Sequence, residues 1–582
     1  MRVISTLLAV ALVGCTADVP PTLPAPPPPS PPVVVAPPAP RALVHVQVLA
    51  LNDFHGNIEP PHGHDGTVHA GPGVDIPTGG AAYLVAHVQR LRAANPNTVV
   101  VSAGDLTGAS PLVSNLFHDE PTVLIMNRLG LDFEGVGNHD FDRGLTELRR
   151  LQHGGASAAV PGLPVTAPEP PFPGATYQYL AANVLGADGK PVFPPYAIKE
   201  FDGVKVAFIG MTLRGTPTVT AKTSIVGLTF ADEAATANAL LPELRKQGVA
   251  ASVILIHQGG FQGPGGTYDS CKGFMGDIQP VLAALDPAFR VIVTAHTHQA
   301  YDCTVGNRRV TSAASYGRLV TVIDLAIDPA TRELVDVHAR NVPVTRDIEP
   351  DAEVLKLVSD YEAKASPITQ RVVGYQDGSF TRDPRAAHSA SCETPLGDLI
   401  VDSQLAATRG AGAVLALMNP GGIRTDLAPP AGTSGTQPIR YDAAFEIEPF
   451  GNRLVTLTLT GDQLRWILLH QFGGDRPRVL SVSQGFTYRY TYDPATKRAT
   501  IDPSSMRLHG QVIGPHQRYR VTVNAFLAGG ADGFTALRDA TDRVLGVLDI
   551  DAFVANLSKM SSPRAPLVPP KALTRIVGNG CQ

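Results

Sequence analysis

At 582 residues the chain is long enough for more than one hydrophobic core, and 44% hydrophobic against 17% charged residues excludes a disordered polymer. A formal net charge of −5 gives no basic footprint, which excludes a general binder of nucleic-acid polymers. Composition leaves the oligomeric state open.

Arg2 precedes an apolar run, Val3 to Val13, that is too short to span a bilayer. The run ends in Leu12-Val13-Gly14-Cys15, which resembles a bacterial lipobox. Residues 1–15 are therefore expected to be a lipoprotein signal peptide with Cys15 lipidated, an ordinary secretory signal being the alternative. Thr16 follows where an Asp often marks inner-membrane retention, so the expected location is the outer membrane, on its periplasmic or surface side. Residues 16–42 are Pro-rich and suit an extended spacer. Four further cysteines allow three pairings. Pairing 271 with 303 and 392 with 581 is favoured, since each bond then stays within one proposed domain, and export makes disulfides the expected state.

From Leu43 to about Arg346, strand-like runs alternate with helical stretches, the pattern of an α/β domain spanning 43–346. Val44 to Leu51 reads as a half-buried strand and Val204 to Met211 as another. Thr98 to Val101, Val253 to Ile256 and Val291 to Val293 read as short buried strands. Leu84, Val85, Val88 and Leu91 recur at helical spacing after Gly79-Gly80. Ile348 to Ala365 is predicted to be a helix joining two domains, within a linker at 347–366. A second α/β domain is expected over 367–582, with strands at Val414 to Met418, Leu454 to Leu459 and Tyr519 to Ala525. Its helices are expected at Leu396 to Thr408 and Asp462 to Gln471.

Asp53, Asp105, His257 and His296 each fall at or just after the end of a predicted strand, so distant sequence positions can meet in one crevice. With His55, Asn138 and His298 they make a mixed Asp, His and Asn set. Such a set suits two divalent cations, Zn, Mn or Co, and the absence of Cys from it argues against a structural zinc site. Taken singly, a His such as His257 after an apolar strand is more often a core residue. Asp140 reads as a local hydrogen-bonding residue, and His62, His64 and His69 as an exposed loop cluster.

The strings Asp53-x-His55, Gly104-Asp105, Gly137-Asn138-His139-Asp140 and His296-x-His298 resemble the calcineurin-like metallophosphatases. With Asn419-Pro420-Gly421-Gly422-Ile423-Arg424 added, the chain after the linker resembles the 5′-nucleotidase family. That resemblance implies an N-terminal metallophosphatase β-sandwich flanked by helices and a C-terminal α/β substrate-binding domain. It gives Asp53, His55 and His298 to one metal, and Asn138, His257 and His296 to the other, with Asp105 bridging. It makes His139 the phosphate-contacting catalytic residue, oriented by Asp142. The implied reaction is release of phosphate from nucleoside 5′-monophosphates by metal-activated hydroxide.

On the substrate side the resemblance implies Phe450 and Phe526 as base-stacking rings, Asn452 as a base contact, Asp532 as a ribose contact, and Arg424 and Gly485 as further substrate contacts. Two departures are visible: Ala295 stands where the family has Gly, and Ala531 is inserted before Asp532. Arg382 and Arg385 lie upstream of Leu396-Gly397 but do not align with the family's phosphate-binding arginines. Alternatives are a 2′,3′-cyclic-nucleotide phosphodiesterase, a UDP-sugar hydrolase, or, in another class, an inactive nucleotide-binding surface lipoprotein. A thiosulfate-oxidation hydrolase is disfavoured by the nucleotide-reading motifs.

Overall fold

Two six-stranded sheets pack face to face in the N-terminal half of the computed structural model, which describes residues 42–157, 171–430, 432–473 and 477–581. The signal, lipobox and spacer readings, Cys15 included, lie outside the described residues. In the first sheet Val44–Leu51 runs parallel to Thr98–Ser102, which pairs in parallel with Phe133–Gly135. In the second, Val204–Met211, Val249–Ile256 and Val291–Thr294 are mutually parallel. Alternation decides which layer each side chain joins. Val46, Val48 and Ala50 meet Val206, Phe208, Val253 and Leu255 between the sheets, whereas Leu49 and Leu51 pack under the helices Ala81–Ala93 and Glu120–Leu129.

Val44–Leu51 differs from the half-buried strand expected: from Val46 onward it is buried on both faces. The reason is the helical layer on the outer side, which leaves the polar Gln47 buried as well. Its amide donates to Leu91 O and Thr98 Oγ1, so no donor is stranded.

The helix expected over 348–365 runs Ala352–Thr369. Asp351 caps its start by accepting from Val354 N. Pro367, where the second domain is expected to begin, sits in the last turn, and the helix continues past it. Val354, Val358 and Ala365 belong to the core beneath the first sheet, with Leu357 and Tyr361 packed against it. The helix is thus part of that core.

The C-terminal half holds a five-stranded sheet, ordered Ser481–Val482, Leu415–Met418, Arg518–Asn524, Arg453–Thr460 and Thr541–Leu548, beside a smaller sheet built on Phe486–Asp493. Helices Pro395–Thr408, Gly461–His470 and Asp549–Met560 accompany it, giving the mixed α/β architecture expected. Among the described residues no helix is long and apolar enough to cross a membrane.

Both favoured disulfides are formed, Cys271–Cys303 closing 32 residues and Cys392–Cys581 closing 189. Loop-closure entropy grows with the logarithm of length, so the longer loop should carry about 1.5 kcal/mol more stabilisation than the shorter. Replacing Cys392 and Cys581 by Ser should therefore lower the urea midpoint more than replacing Cys271 and Cys303; the opposite order would refute this ranking.

Candidate dimetal centre and cleft

Parallel strands from both sheets end along one edge, and each ends in a polar turn. Asp53 and His55 follow Leu51, Asp105 follows Ser102, Asn138 follows Gly135, His257 follows Ile256, and His296 and His298 follow Thr294. Five of these residues, Asp53, His55, Asp105, His296 and His298, have φ between 47° and 71°. Such left-handed geometry costs a non-glycine residue on the order of 1–3 kcal/mol, and clusters of it mark functional sites. Ala295 is not among the positive-φ residues, so the family's glycine is replaced there without strain.

The side chains gather into two groups. Asp53, His55 and His298 offer ligand atoms within 4.8 Å of one another, and so do Asp105, His257 and His296. Asp105 Oδ2 lies 2.9 Å from His257 Nε2 and 3.7 Å from His55 Nε2, so it stands between the groups. His55 Nε2 and His298 Nε2 approach to 3.1 Å. His257 Nε2 makes no aligned hydrogen bond despite its close carboxylate, and both amide atoms of the buried Asn138 are without a hydrogen-bond partner. Buried polar atoms are rarely left so. Converging oxygen and nitrogen donors with unused lone pairs fit two divalent cations.

Backbone carbonyls orient the ligands. His55 Nδ1 donates to Gly108 O and His257 Nδ1 to Ala103 O, both at 2.8 Å, which leaves each Nε2 as the free lone pair. Burial pushes His55 and His296 down to about 3, so both present neutral imidazoles. Burial opposes the charge on Asp105, but His257 and His139 beside it hold its carboxyl well below the usual carboxylate range. Burial lifts Asp53 to about 7. Burial also works against a charged His257, yet Asp105 raises it to about 9. The protons this cluster retains are ones a bound cation displaces.

A cleft of about 2640 Å³ opens over the centre. Asn138, His139, Asp142, His296 and His298 line it from one side, and Arg424, Phe450, Asn452, Phe526 and Asp532 from the other. His139 Nδ1 bonds to Asp142 Oδ2 at 2.9 Å, leaving Nε2 free. Burial weighs against a charged His139, but Asp142 and Asp105 raise its pKa above the ordinary histidine value. The Phe450 ring stacks on His139 with centroids 5.7 Å apart, and the Arg424 guanidinium lies over the same ring. Phe450 and Phe526 share the cleft, but the ring partner of Phe450 is His139. Gly485 does not line the cleft: it sits at a turn with φ 94°, and a Cβ there would collide with the His509 ring. Arg382 and Arg385 do line it, and Arg382 pairs with Asp65 at 3.4 Å. His62 and His69 are exposed, as expected, and His69 pairs with Asp75.

Three residues do more than the sequence reading gave them, Asp140 having been read only as a local hydrogen-bonding residue, which its bond from Gly137 N bears out. Asp140 accepts from the backbone N–H of Asp105, Gly137 and Thr107 and from the Thr107 hydroxyl, so it clamps two ligand turns together. Its place inside the Asn-His-Asp string was the available signal. Asn419 donates to Asp532 Oδ2 at 3.0 Å, and Arg478 lies 3.6 Å from Asp532 Oδ1. Nothing in the local sequence distinguishes Arg478. Close packing explains Gly137, where a Cβ would lie 2.1 Å from Asp105 Oδ1. The substitution G137A should displace that carboxylate and lower metal content below two ions per chain by elemental analysis, with an unchanged circular dichroism spectrum. Full metal content in G137A would contradict the bridging geometry.

Comparison with known proteins agrees with this geometry. Residues 372–539 match the family described as 5′-nucleotidase, C-terminal domain. The chain is 34% identical over 498 residues to endonuclease YhcR of Bacillus subtilis, covering 84% of this chain but 37% of that protein. It is 30% identical to the cell wall protein Lmo0130 of Listeria monocytogenes, covering 85% of this chain and 65% of the relative. It thus spans less than two thirds of either relative. The crystal structure of a 5′-nucleotidase precursor from Thermus thermophilus superposes with a TM-score of 0.71 at 25% identity, covering 92% of this chain and 99% of that one. The chain has a calcineurin-like metallophosphatase fold joined to a C-terminal 5′-nucleotidase domain.

Proposed function

We propose that the protein is a metal-dependent nucleotide phosphohydrolase that releases phosphate from nucleoside 5′-monophosphates. The observation that carries this reading is the single cleft in which the paired Asp/His clusters face Arg424, Phe450, Phe526 and Asp532. Asp53, His55 and His298 would hold one divalent cation; Asp105, His257, His296 and Asn138 would hold the other. Divalent cations there supply Lewis acidity, activating water and neutralising phosphate charge.

The chain's own residues do the rest. His139 presents Nε2 to the phosphate and stabilises charge as it develops, while Asp142 fixes the ring's tautomer and direction. Arg424 adds a second positive group beside the same position. Phe450 and Phe526 offer apolar faces to a base, and Asp532 offers a carboxylate to ribose hydroxyls. The Thermus relative's description as a 5′-nucleotidase precursor supports this choice of substrate. A second reading, a cyclic-nucleotide phosphodiesterase or UDP-sugar hydrolase, draws on the cleft's volume of about 2640 Å³, well beyond the roughly 300–1,000 Å³ usual for a small-molecule site.

A screen for phosphate release from AMP, UMP, UDP-glucose, ATP and 2′,3′-cyclic AMP with Mn²⁺, Zn²⁺ or Co²⁺ should give the highest kcat/KM on a 5′-monophosphate. H139A should lower kcat by about 100-fold or more at undiminished metal content. A metal-free protein or an unchanged rate in H139A would leave the nucleotide-binding, inactive reading in its place.

We further propose export as a lipoprotein anchored through Cys15, with residues 16–42 as the spacer. The two disulfides support an oxidising compartment. C15S should move the protein from the membrane fraction to the soluble fraction of the source cell; an unaltered distribution would remove the anchor.

A further inference from the structure

Beneath the base-facing loop lies a buried acid that the reaction does not use. Glu448 is fully buried and immediately precedes Pro449-Phe450-Gly451-Asn452. Its electrostatic neighbour is Asp549, 1% exposed, at the first turn of the helix Asp549–Met560. Asp549 holds the loop's far end at two points: its backbone N–H donates to Asn452 O at 2.8 Å, and its carboxylate accepts from the Asn452 side chain. Gln404 on the helix Pro395–Thr408 donates to Glu448 Oε1 at 3.3 Å, while Glu448 Oε2 and Gln404 Oε1 are without hydrogen-bond partners.

The same polar row continues to the ribose side of the cleft. Gln404 Nε2 also reaches Met418 Sδ at 3.5 Å, and Asn524 Nδ2 reaches that sulfur at 3.4 Å and Asn419 Oδ1 at 3.1 Å. Asn419 then donates to Asp532. One buried chain of side chains therefore runs from the ribose-facing carboxylate to the foot of the base-facing loop.

We propose that the carboxyl pair Glu448–Asp549 is the positioning device of loop 449–452 and sets how tightly the nucleobase is held. This rests on the nucleotide reading above. Among the described residues no cation pairs with either carboxyl: Arg424 directs its guanidinium to Gly421 O and Phe450, and Arg453 to Gly546 O. Two unneutralised carboxylates at this depth are unfavourable, so the pair retains a proton. Burial raises Glu448 well above the carboxylate range and Asp549 to about 7. For acids raised in this way the neutral form is favoured at low pH. The loop is firmest below neutrality and loosens as pH rises through about 7.

The test compares KM for a nucleoside 5′-monophosphate with KM for ribose 5-phosphate, which lacks the base, on the metal-loaded full chain from pH 6 to 9. In the wild type the preference for the nucleotide should fall by roughly threefold to tenfold across neutrality, the worth of a lost hydrogen bond. D549N removes the titrating carboxyl while keeping an oxygen acceptor for Ile550 N, and should flatten the profile. E448Q keeps a neutral group where Glu448 holds its proton and should leave the midpoint near 7. A flat wild-type profile, or a D549N profile that follows the wild-type curve, would overturn the proposal while leaving the nucleotide reading intact. A wild type that shows no preference for the nucleotide at any pH would instead overturn that reading and this inference with it.

Discussion

Asp53 and Asp105 carry negative charge into a region from which water is excluded, and the surrounding architecture answers that demand. A buried carboxylate without a counter-charge is costly, and among the described residues no lysine or arginine is paired with either one. Imidazoles gather around them instead, His55 and His257 each oriented by a backbone carbonyl. Only cations placed among these donors satisfy both the acids and the lone pairs. The strained left-handed turns, the glycines that admit no Cβ, and the Asp140 clamp follow as the conditions for bringing these groups together.

The two halves of the molecule divide the work by rigidity. Metal-facing residues stand on turns at the ends of strands buried between layers, where packing leaves little freedom. The cleft-lining residues Arg424, Phe450, Asn452 and Asp532 stand on short loops and turns of the second half, where sequence can vary at lower cost. Phe450 links the halves directly, because its ring lies against His139. The two walls of the cleft are therefore in physical contact beside the metal-facing groups.

Much of this was legible in the residues. Short β-branched runs followed by Asp or His announced strand ends that could share a crevice, and Val204–Met211 was bounded correctly because its apolar run is broken only by Lys205 near its start. The sequence could not show that helices cover the outer face of Val44–Leu51, since burial on a second face depends on residues far away in the chain. The long-range bond of Asp140, and the role of Arg478, were missed for a related reason. Their partners, Asp105 and Asp532, are 35 and 54 positions away, and neither belongs to a periodic pattern. Gly485 entered by family resemblance and proved to serve a turn, where its positive φ and the His509 ring account for it.

The bond between Cys392 and Cys581 does more than tie two segments together. Both cysteines and Gly580 line the cleft, and Cys581 N donates to Ala390 O beside the bond. A wall of the cleft is thus made from positions 189 apart in the chain. The earlier cysteine must wait, during synthesis, until almost two hundred further residues have emerged before its partner exists. The metal-facing turns, all complete by His298, can assemble first. The cleft is consequently among the last parts of the molecule to be finished, and this wall reaches its final outline only where thiols can be oxidised.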